Sequence, residues 1–187
     1  MQVSKSQKGF TLIEILVVIT IVGLIILTAL YTLGRSSQQV RLQMGVEQVA
    51  SNLRFDQTQV KSGHLAASGT VCRGYTFTSG SGGSSYDPVS TQYIAGECHI
   101  AGISSSPSLF YSTGVELSQI DSDNGVEPEL TILFEPPHGE VLFVDASDNE
   151  LNVSSVDLTF IYTLADYPFD RELSVNRAGQ ITYDITE

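Results

Sequence analysis

Basic residues are scarce in this sequence. Its 187 residues include 9 Lys and Arg against 21 Asp and Glu, which gives a formal net charge of −12 at pH 7. Between Arg73 and Arg171 there is neither lysine nor arginine. A nucleic-acid-binding protein needs a positive surface that displaces counterions from phosphates. The charge balance therefore argues against DNA or RNA as a partner.

Motifs for catalysis and metal binding are missing as well. The sequence has no G-x-S-x-G or H-E-x-x-H pattern, and its three histidines are scattered. The acidic stretch 121–129 departs from a calcium-binding EF-hand loop, because Val126 stands where that loop requires glycine. We interpret this stretch as an acidic surface turn. We expect no catalytic residue, no metal and no cofactor, and we predict that the protein is not an enzyme.

Charge of either sign is absent from the 20 residues between Ile15 and Gly34. As a helix this apolar run would be about 30 Å long, the thickness of the hydrocarbon core of a bilayer. A buried helix of a soluble domain is one alternative. A cleaved secretory signal peptide is another, but the run is long for one and no A-x-A site follows it. The segment is predicted to span a membrane.

Glu14 is an acidic residue at the edge of this apolar run. An ionisable side chain at membrane depth costs a few kcal/mol on insertion scales, so it marks a functional position that needs a partner. The alternative is that Glu14 extends to the membrane surface from the end of the span. The sequence around it favours the functional interpretation.

The stretch from Lys8 to Glu14, followed by the apolar run, resembles the class III signal of type IV prepilins and type II secretion pseudopilins. This resemblance implies that prepilin peptidase cleaves between Gly9 and Phe10 and that Phe10 is then N-methylated. It also implies that Glu14, the fifth residue of the mature chain, pairs with the N-terminal amine of a neighbouring subunit during assembly. Pairing would offset the cost of burying a carboxylate.

The same resemblance implies a location and a set of partners. The N-terminus would be cytoplasmic, the span would cross a bacterial inner membrane, and the acidic domain would be extracytoplasmic before it joins a pilus or pseudopilus filament. Lys5 and Lys8 fit a cytoplasmic leader, although Arg35 and Arg41 weaken the charge contrast across the span. The expected partners are prepilin peptidase, other pilins or pseudopilins, the inner-membrane assembly platform and membrane lipid.

The helix is predicted to continue beyond the membrane, because no proline occurs before Pro88. One face of its second half carries an apolar stripe, interrupted by Asp56, and Gly63 is a candidate C-cap. The residues of the stripe are Leu42, Val46, Val49, Leu53 and Val60. The predicted organisation is a leader at 1–9, a transmembrane or filament-core half at 10–34, an amphipathic half at 35–63 and a β-rich domain at 64–187.

Beyond residue 68 the apolar pattern alternates, as it does in strands. Strands are predicted at Thr70–Thr78, Leu109–Leu117, Leu130–Phe134, Val141–Val144, Val156–Leu164, Glu172–Val175 and Ile181–Ile185. The third and fourth should form one hairpin, and the last two should form another in which Gly179 adopts a positive φ. Strands gathered after one helix predict an α+β fold with an antiparallel sheet, which agrees with the pilin-like fold that the resemblance implies.

The two cysteines, Cys72 and Cys98, are expected to form a disulfide, the default for an extracytoplasmic domain. Free thiols are one alternative. The other is a zinc site that adds His64 and His99, but the spacing lacks the usual paired-ligand core.

Three segments resemble the GspH/FimT-like minor pilins: the helix end at 49–60 and the turn regions at 134–139 and 175–180. The resemblance implies a non-enzymatic filament subunit, a minor pseudopilin of type II secretion or a minor type IV pilin. A major pilin and a membrane-anchored binding domain that never polymerises remain as alternatives.

Overall fold

The computed structural model describes residues 11–63, 71–80, 83–163 and 169–183. Within these residues, one α-helix, α1 (Leu12–Lys61), is followed by strands and a short 3-10 turn at Ile100–Gly102. The chain divides into two compact units, residues 1–38 and residues 39–187, and α1 contributes to both.

Twelve strands follow the helix in the described part of the chain. They are β1 (Val71–Thr78), β2 (Ser85–Ile94), β3 (Glu97–Cys98), β4 (Ser104–Ser105), β5 (Leu109–Phe110), β6 (Val115–Ser122), β7 (Gly125–Val126), β8 (Glu129–Glu135), β9 (Glu140–Asp145), β10 (Ser155–Tyr162), β11 (Asp170–Asn176) and β12 (Ile181–Tyr183).

The strands form two antiparallel sheets. The first has the order β3-β2-β1-β8-β9, and β4 and β5 also pair with β2. The second has the order β12-β11-β10-β6-β7. Both predicted hairpins are confirmed, as β8 pairs with β9 and β11 pairs with β12. The predicted architecture, one long N-terminal helix followed by antiparallel sheets as in pilins, is therefore the observed one.

The amphipathic half of α1 packs on the β-rich part of the unit formed by residues 39–187. All five residues of the predicted stripe are buried, none more than 3% exposed. They join one main core with apolar residues of both sheets. After Lys61 the chain leaves the helix through Gly63, which adopts a φ of +66° and donates its N–H to the Val60 carbonyl. This residue terminates the helix as predicted.

One strand prediction needs correction, and one long strand was missed. Residues 109–117 do not form one strand, because the chain turns at Ser112–Gly114 and Gly114 has a φ of +87°. Leu109 and Phe110 pair with β2, whereas Val115 begins a strand of the other sheet. The long strand β2 was not predicted, since Pro88 and several serines and threonines hide its apolar pattern.

The first sheet carries apolar side chains on both faces. In β8, Leu130, Ile132 and Phe134 join the main core, while Leu133 between them joins a second cluster. Because neighbouring side chains of a strand point to opposite faces, the second cluster lies on the outer face of this sheet. Its buried members are Cys72, Val89, Cys98, Leu133, Leu142 and Val144.

Candidate functional site

The candidate functional segment begins with the first turn of α1. Thr11 precedes the helix, and the Glu14 N–H lies 3.3 Å from the Thr11 hydroxyl oxygen and 3.1 Å from the Thr11 carbonyl oxygen. A hydroxyl that accepts this N–H caps the helix, and a glutamate three residues after the cap is the capping-box pattern. Thr11 is a helix-start signal that the sequence reasoning missed. The cap places Glu14 in the first turn, where the helix dipole favours a negative charge.

The apolar half of α1 is uncovered. Every residue from Thr11 to Gly34 is exposed, and Leu12 and Leu33 keep 83% and 67% of their surface accessible. By length and composition the helix is apolar enough to cross a membrane. An apolar surface that surrounds a helix on all sides needs lipid or other helices as its surroundings.

The hydroxyl groups in this half form hydrogen bonds within the helix. Thr20 donates to the Val17 carbonyl at 2.8 Å, and Thr28 donates to the Ile25 carbonyl at 2.9 Å. Thr32 lies within reach of the carbonyls of residues 28 and 29. Back-bonding of this kind satisfies polar groups where water is absent. The threonines therefore do not oppose insertion in an apolar environment.

Glu14 is the one charged residue between Thr11 and Gly34, and its side chain is exposed. The predicted cleavage-site residues, Gly9 and Phe10, lie outside the described residues. The processing of these residues and the pairing of Glu14 with an N-terminal amine therefore stay predictions. What the structure provides is a single carboxylate at the start of an uncovered apolar helix.

In the unit of residues 39–187, one polar residue of the helix joins two turns. Gln57 Nε2 donates to the Gly179 carbonyl at 2.7 Å and to the Gly139 carbonyl at 3.1 Å. The two acceptors belong to the β8–β9 and β11–β12 turns, both of which the sequence singled out. Nothing in the spacing of the sequence marks Gln57 as their common partner.

Two further polar residues attach the helix to the strands. Arg54 donates to the Ile181 carbonyl at 3.0 Å and lies over the Tyr183 ring, 5.6 Å from its centroid. Asp56, which interrupts the apolar stripe, is only 7% exposed. It is hydrogen-bonded to Tyr75 and lies 3.9 Å from Arg73. Burial raises the pKa of the Asp56 carboxyl, although both neighbours oppose this shift.

The predicted disulfide is confirmed, with an S–S distance of 2.02 Å between Cys72 and Cys98. This bond occupies both thiols that the alternative zinc site would need. Of the two histidines proposed for that site, His99 is exposed and His64 lies outside the described residues. Among the residues that the structure describes, no three His, Cys, Asp or Glu side chains are grouped to hold a metal ion.

The acidic stretch 121–129 contains the turn between β6 and β7. The Asp123 carboxylate accepts hydrogen bonds from the Ser154 N–H at 2.8 Å and the Ser154 hydroxyl at 2.6 Å. These bonds hold the pKa of Asp123 below its usual value. In the structure this carboxylate links a surface turn to the start of β10.

Comparison with known proteins gives one match. The family model described as the prokaryotic N-terminal methylation motif matches residues 4–30. No curated protein and no solved structure matches the chain. The matched residues contain the predicted cleavage site, Glu14 and most of the uncovered apolar helix, and the fold is that expected of a pilin. The matched motif indicates an N-terminus that prepilin peptidase processes, and together these findings support similarity to type IV pilins and pseudopilins.

Proposed function

We propose that the protein is a minor pseudopilin of type II secretion or a minor type IV pilin, and that it acts without enzymatic activity. The observation that carries this proposal is the methylation motif in front of an apolar helix that is uncovered on all sides. The limited similarity to GspH/FimT-like chains at residues 49–60, 134–139 and 175–180 supports the minor subtype.

In this proposal the chain is first inserted in the inner membrane with a cytoplasmic N-terminus. Cleavage between Gly9 and Phe10 creates an ammonium group, and Phe10 is methylated. The apolar half of α1 then leaves lipid for the helical core of a filament, and Glu14 pairs with the Phe10 amine of a neighbouring subunit. An unpaired carboxylate in this core would be costly, so the pair would select the subunit register.

Mass spectrometry of sheared filaments and of inner membranes tests the proposal. We expect an N-methylated peptide that begins at Phe10, at trace abundance in the filaments relative to the principal subunit. The same peptide as the principal filament component would identify a major pilin. An intact Met1, or a start after residue 28, would contradict filament assembly.

The role of Glu14 is tested separately with Glu14→Ala. The variant should insert in the membrane and be cleaved normally, but its recovery in filaments should fall at least about tenfold, the change that 1.4 kcal/mol of lost pairing would produce. Glu47→Ala is the control, because Glu47 lies in the amphipathic half of the same helix. Normal filament recovery of Glu14→Ala would refute the pairing.

A further inference from the structure

The segment from Glu97 to Ser105 covers the outer face of the first sheet, and we call it the strap. It contains β3, the 3-10 turn and β4. Ile100 and Ile103 of the strap are half-buried against the second apolar cluster. Beneath them lie side chains of β2, β8 and β9, among them Leu133 at 0% and Val144 at 1% exposure. The strap is therefore the cover of a small core that is separate from the main one.

Two short strand pairings and a few hydrogen bonds hold the strap on the first sheet. Its backbone meets β2 through the two-residue pairings of β3 and β4 and through His99, which donates to the Gln92 carbonyl at 2.9 Å. The Thr91 hydroxyl donates to the His99 carbonyl at 2.5 Å, and the Cys98 N–H is hydrogen-bonded to the Glu135 carboxylate. Apart from Cys98 and the two half-buried isoleucines, every residue of the strap is exposed. Segments with little buried apolar surface open at low free-energy cost.

The disulfide is the covalent link between the strap and the sheet. Cys98 is 7% exposed in the strap, and its partner Cys72 is fully buried in β1, within the same cluster. The structure describes the whole strap, and none of its residues belongs to the main core, which consists of residues from α1, the strands of both sheets and their connections. Opening the strap would thus expose the outer cluster and leave the main core in place.

We propose that the Cys72–Cys98 disulfide is a redox switch that closes the strap over the outer face of the first sheet. A dithiol reductant transfers two electrons and two protons to the disulfide, which yields two cysteine thiols and the cyclic disulfide of the reductant. The strap then opens, and the apolar surface of Val89, Leu133, Leu142 and Val144 becomes accessible while the helix stays docked. This switch does not depend on the assembly function proposed above.

Hydrogen exchange measured by mass spectrometry on the full chain in detergent tests the switch. Oxidised protein is compared with protein reduced by dithiothreitol and with the Cys72→Ser/Cys98→Ser variant. We expect the amides of His99, Ile103 and Ser106 to exchange at least about tenfold faster in the reduced protein and in the serine variant than in the oxidised protein. Peptides from residues 39–61 and from β10 and β11 should keep their protection.

A matched variant, Ile100→Ser/Ile103→Ser, removes the apolar contacts of the strap and keeps the disulfide. Its strap amides should exchange more slowly than those of the reduced protein. The proposal is wrong if this variant opens as far as reduction does, if reduction leaves the strap protected, or if strap and main core lose protection together.

Discussion

Asp56 links α1 to Tyr75 and Arg73 of β1, but burial of its carboxylate disfavours the folded state. The carboxylate lies on the buried face of α1, where Tyr75 donates a hydrogen bond and Arg73 supplies a positive charge at 3.9 Å. Burial is still the largest influence on its pKa and raises it above the value of an unfolded chain. The folded state therefore binds the proton of Asp56 more tightly than the unfolded state does.

The direction of this pKa shift determines how the free energy of unfolding depends on pH. With a raised folded pKa, Asp56 disfavours folding above that pKa, and the penalty disappears as the pH falls below the ordinary value near 3.8. Replacing it with neutral asparagine should raise the free energy of unfolding at pH 7 by about 1 kcal/mol, the size of a typical buried polar contribution. The gain should vanish near pH 3.

Urea unfolding of the fragment 39–187 at pH 7 and pH 3 measures this effect. Asp148→Asn is the control, because Asp148 is exposed and asparagine tolerates its positive φ of 59°. A loss of stability in Asp56→Asn at pH 7 would mean that Arg73 and Tyr75 outweigh burial.

Gly179 is a second position where one residue decides the local structure. Its φ is +78°, and an added Cβ would lie 2.5 Å from the Gly139 carbonyl oxygen and press on the Gln57 amide. Gly179→Ala should therefore cost more than the roughly 1 kcal/mol of a left-handed residue alone. Gly96→Ala separates the two causes, since Gly96 has a φ of +97° and open space around it. In thermal unfolding, the melting temperature of Gly179→Ala should be lower than that of Gly96→Ala. Equal decreases in melting temperature would exclude the steric contribution.

At the scale of elements, α1 was the most predictable part of the chain. The uncharged run from Ile15 to Gly34 and the apolar spacing of the second half indicated the helix and its buried face, and Gly63 indicated where it ends. Several strands and both hairpins followed from alternation and turn residues. The break at Ser112–Gly114 and the strand β2 could not be predicted from the sequence. Both are determined by burial against another sheet and not by local alternation of apolar residues.

The candidate site was predictable to a similar degree. The motif from Lys8 to Glu14 is local in the chain and identifies the functional segment by itself, and the two cysteines suggested their bond. Gln57 and the strap did not emerge, because their roles depend on turns and strands brought together from distant parts of the chain.

The orientation of the amphipathic half of α1 leads to a prediction about that element. Leu53 is fully buried, whereas Met44 lies on the opposite face and is 58% exposed. Leu53→Ala should reduce the free energy of unfolding by about 2–5 kcal/mol through lost burial and a cavity. Met44→Ala should change it by no more than about 0.5 kcal/mol. Urea denaturation of the fragment 39–187 measures both; similar losses would mean that the buried face is assigned wrongly.

At the scale of the whole molecule, the two units differ in net charge. The unit of residues 39–187 has 20 acidic and 6 basic residues and a formal net charge of −14, whereas residues 1–38 carry a net charge of +2, since Glu14 is the one acidic residue before Glu47. Self-repulsion of this kind disfavours the compact state and is weakened by salt. The melting temperature of the fragment 39–187 should therefore rise with sodium chloride at pH 7 and respond less at pH 4.4, the sequence pI of the full chain, because protonation of carboxylates lowers the net charge there. Scanning calorimetry at both pH values checks this; an equal response to salt at both would contradict it.

The two-sided first sheet has a consequence for how the sequence tolerates change. All five inner positions of β8 are buried, whereas buried and partly exposed positions alternate strictly along β10. In a complete single-substitution library, polar replacements should be accepted at every second position of β10. Along β8 polar replacements should be rejected at Leu130, Ile132, Leu133 and Phe134 alike, because each of these side chains belongs to one of two separate cores. Sequence drift should therefore be slow throughout β8 and confined to alternate sites in β10.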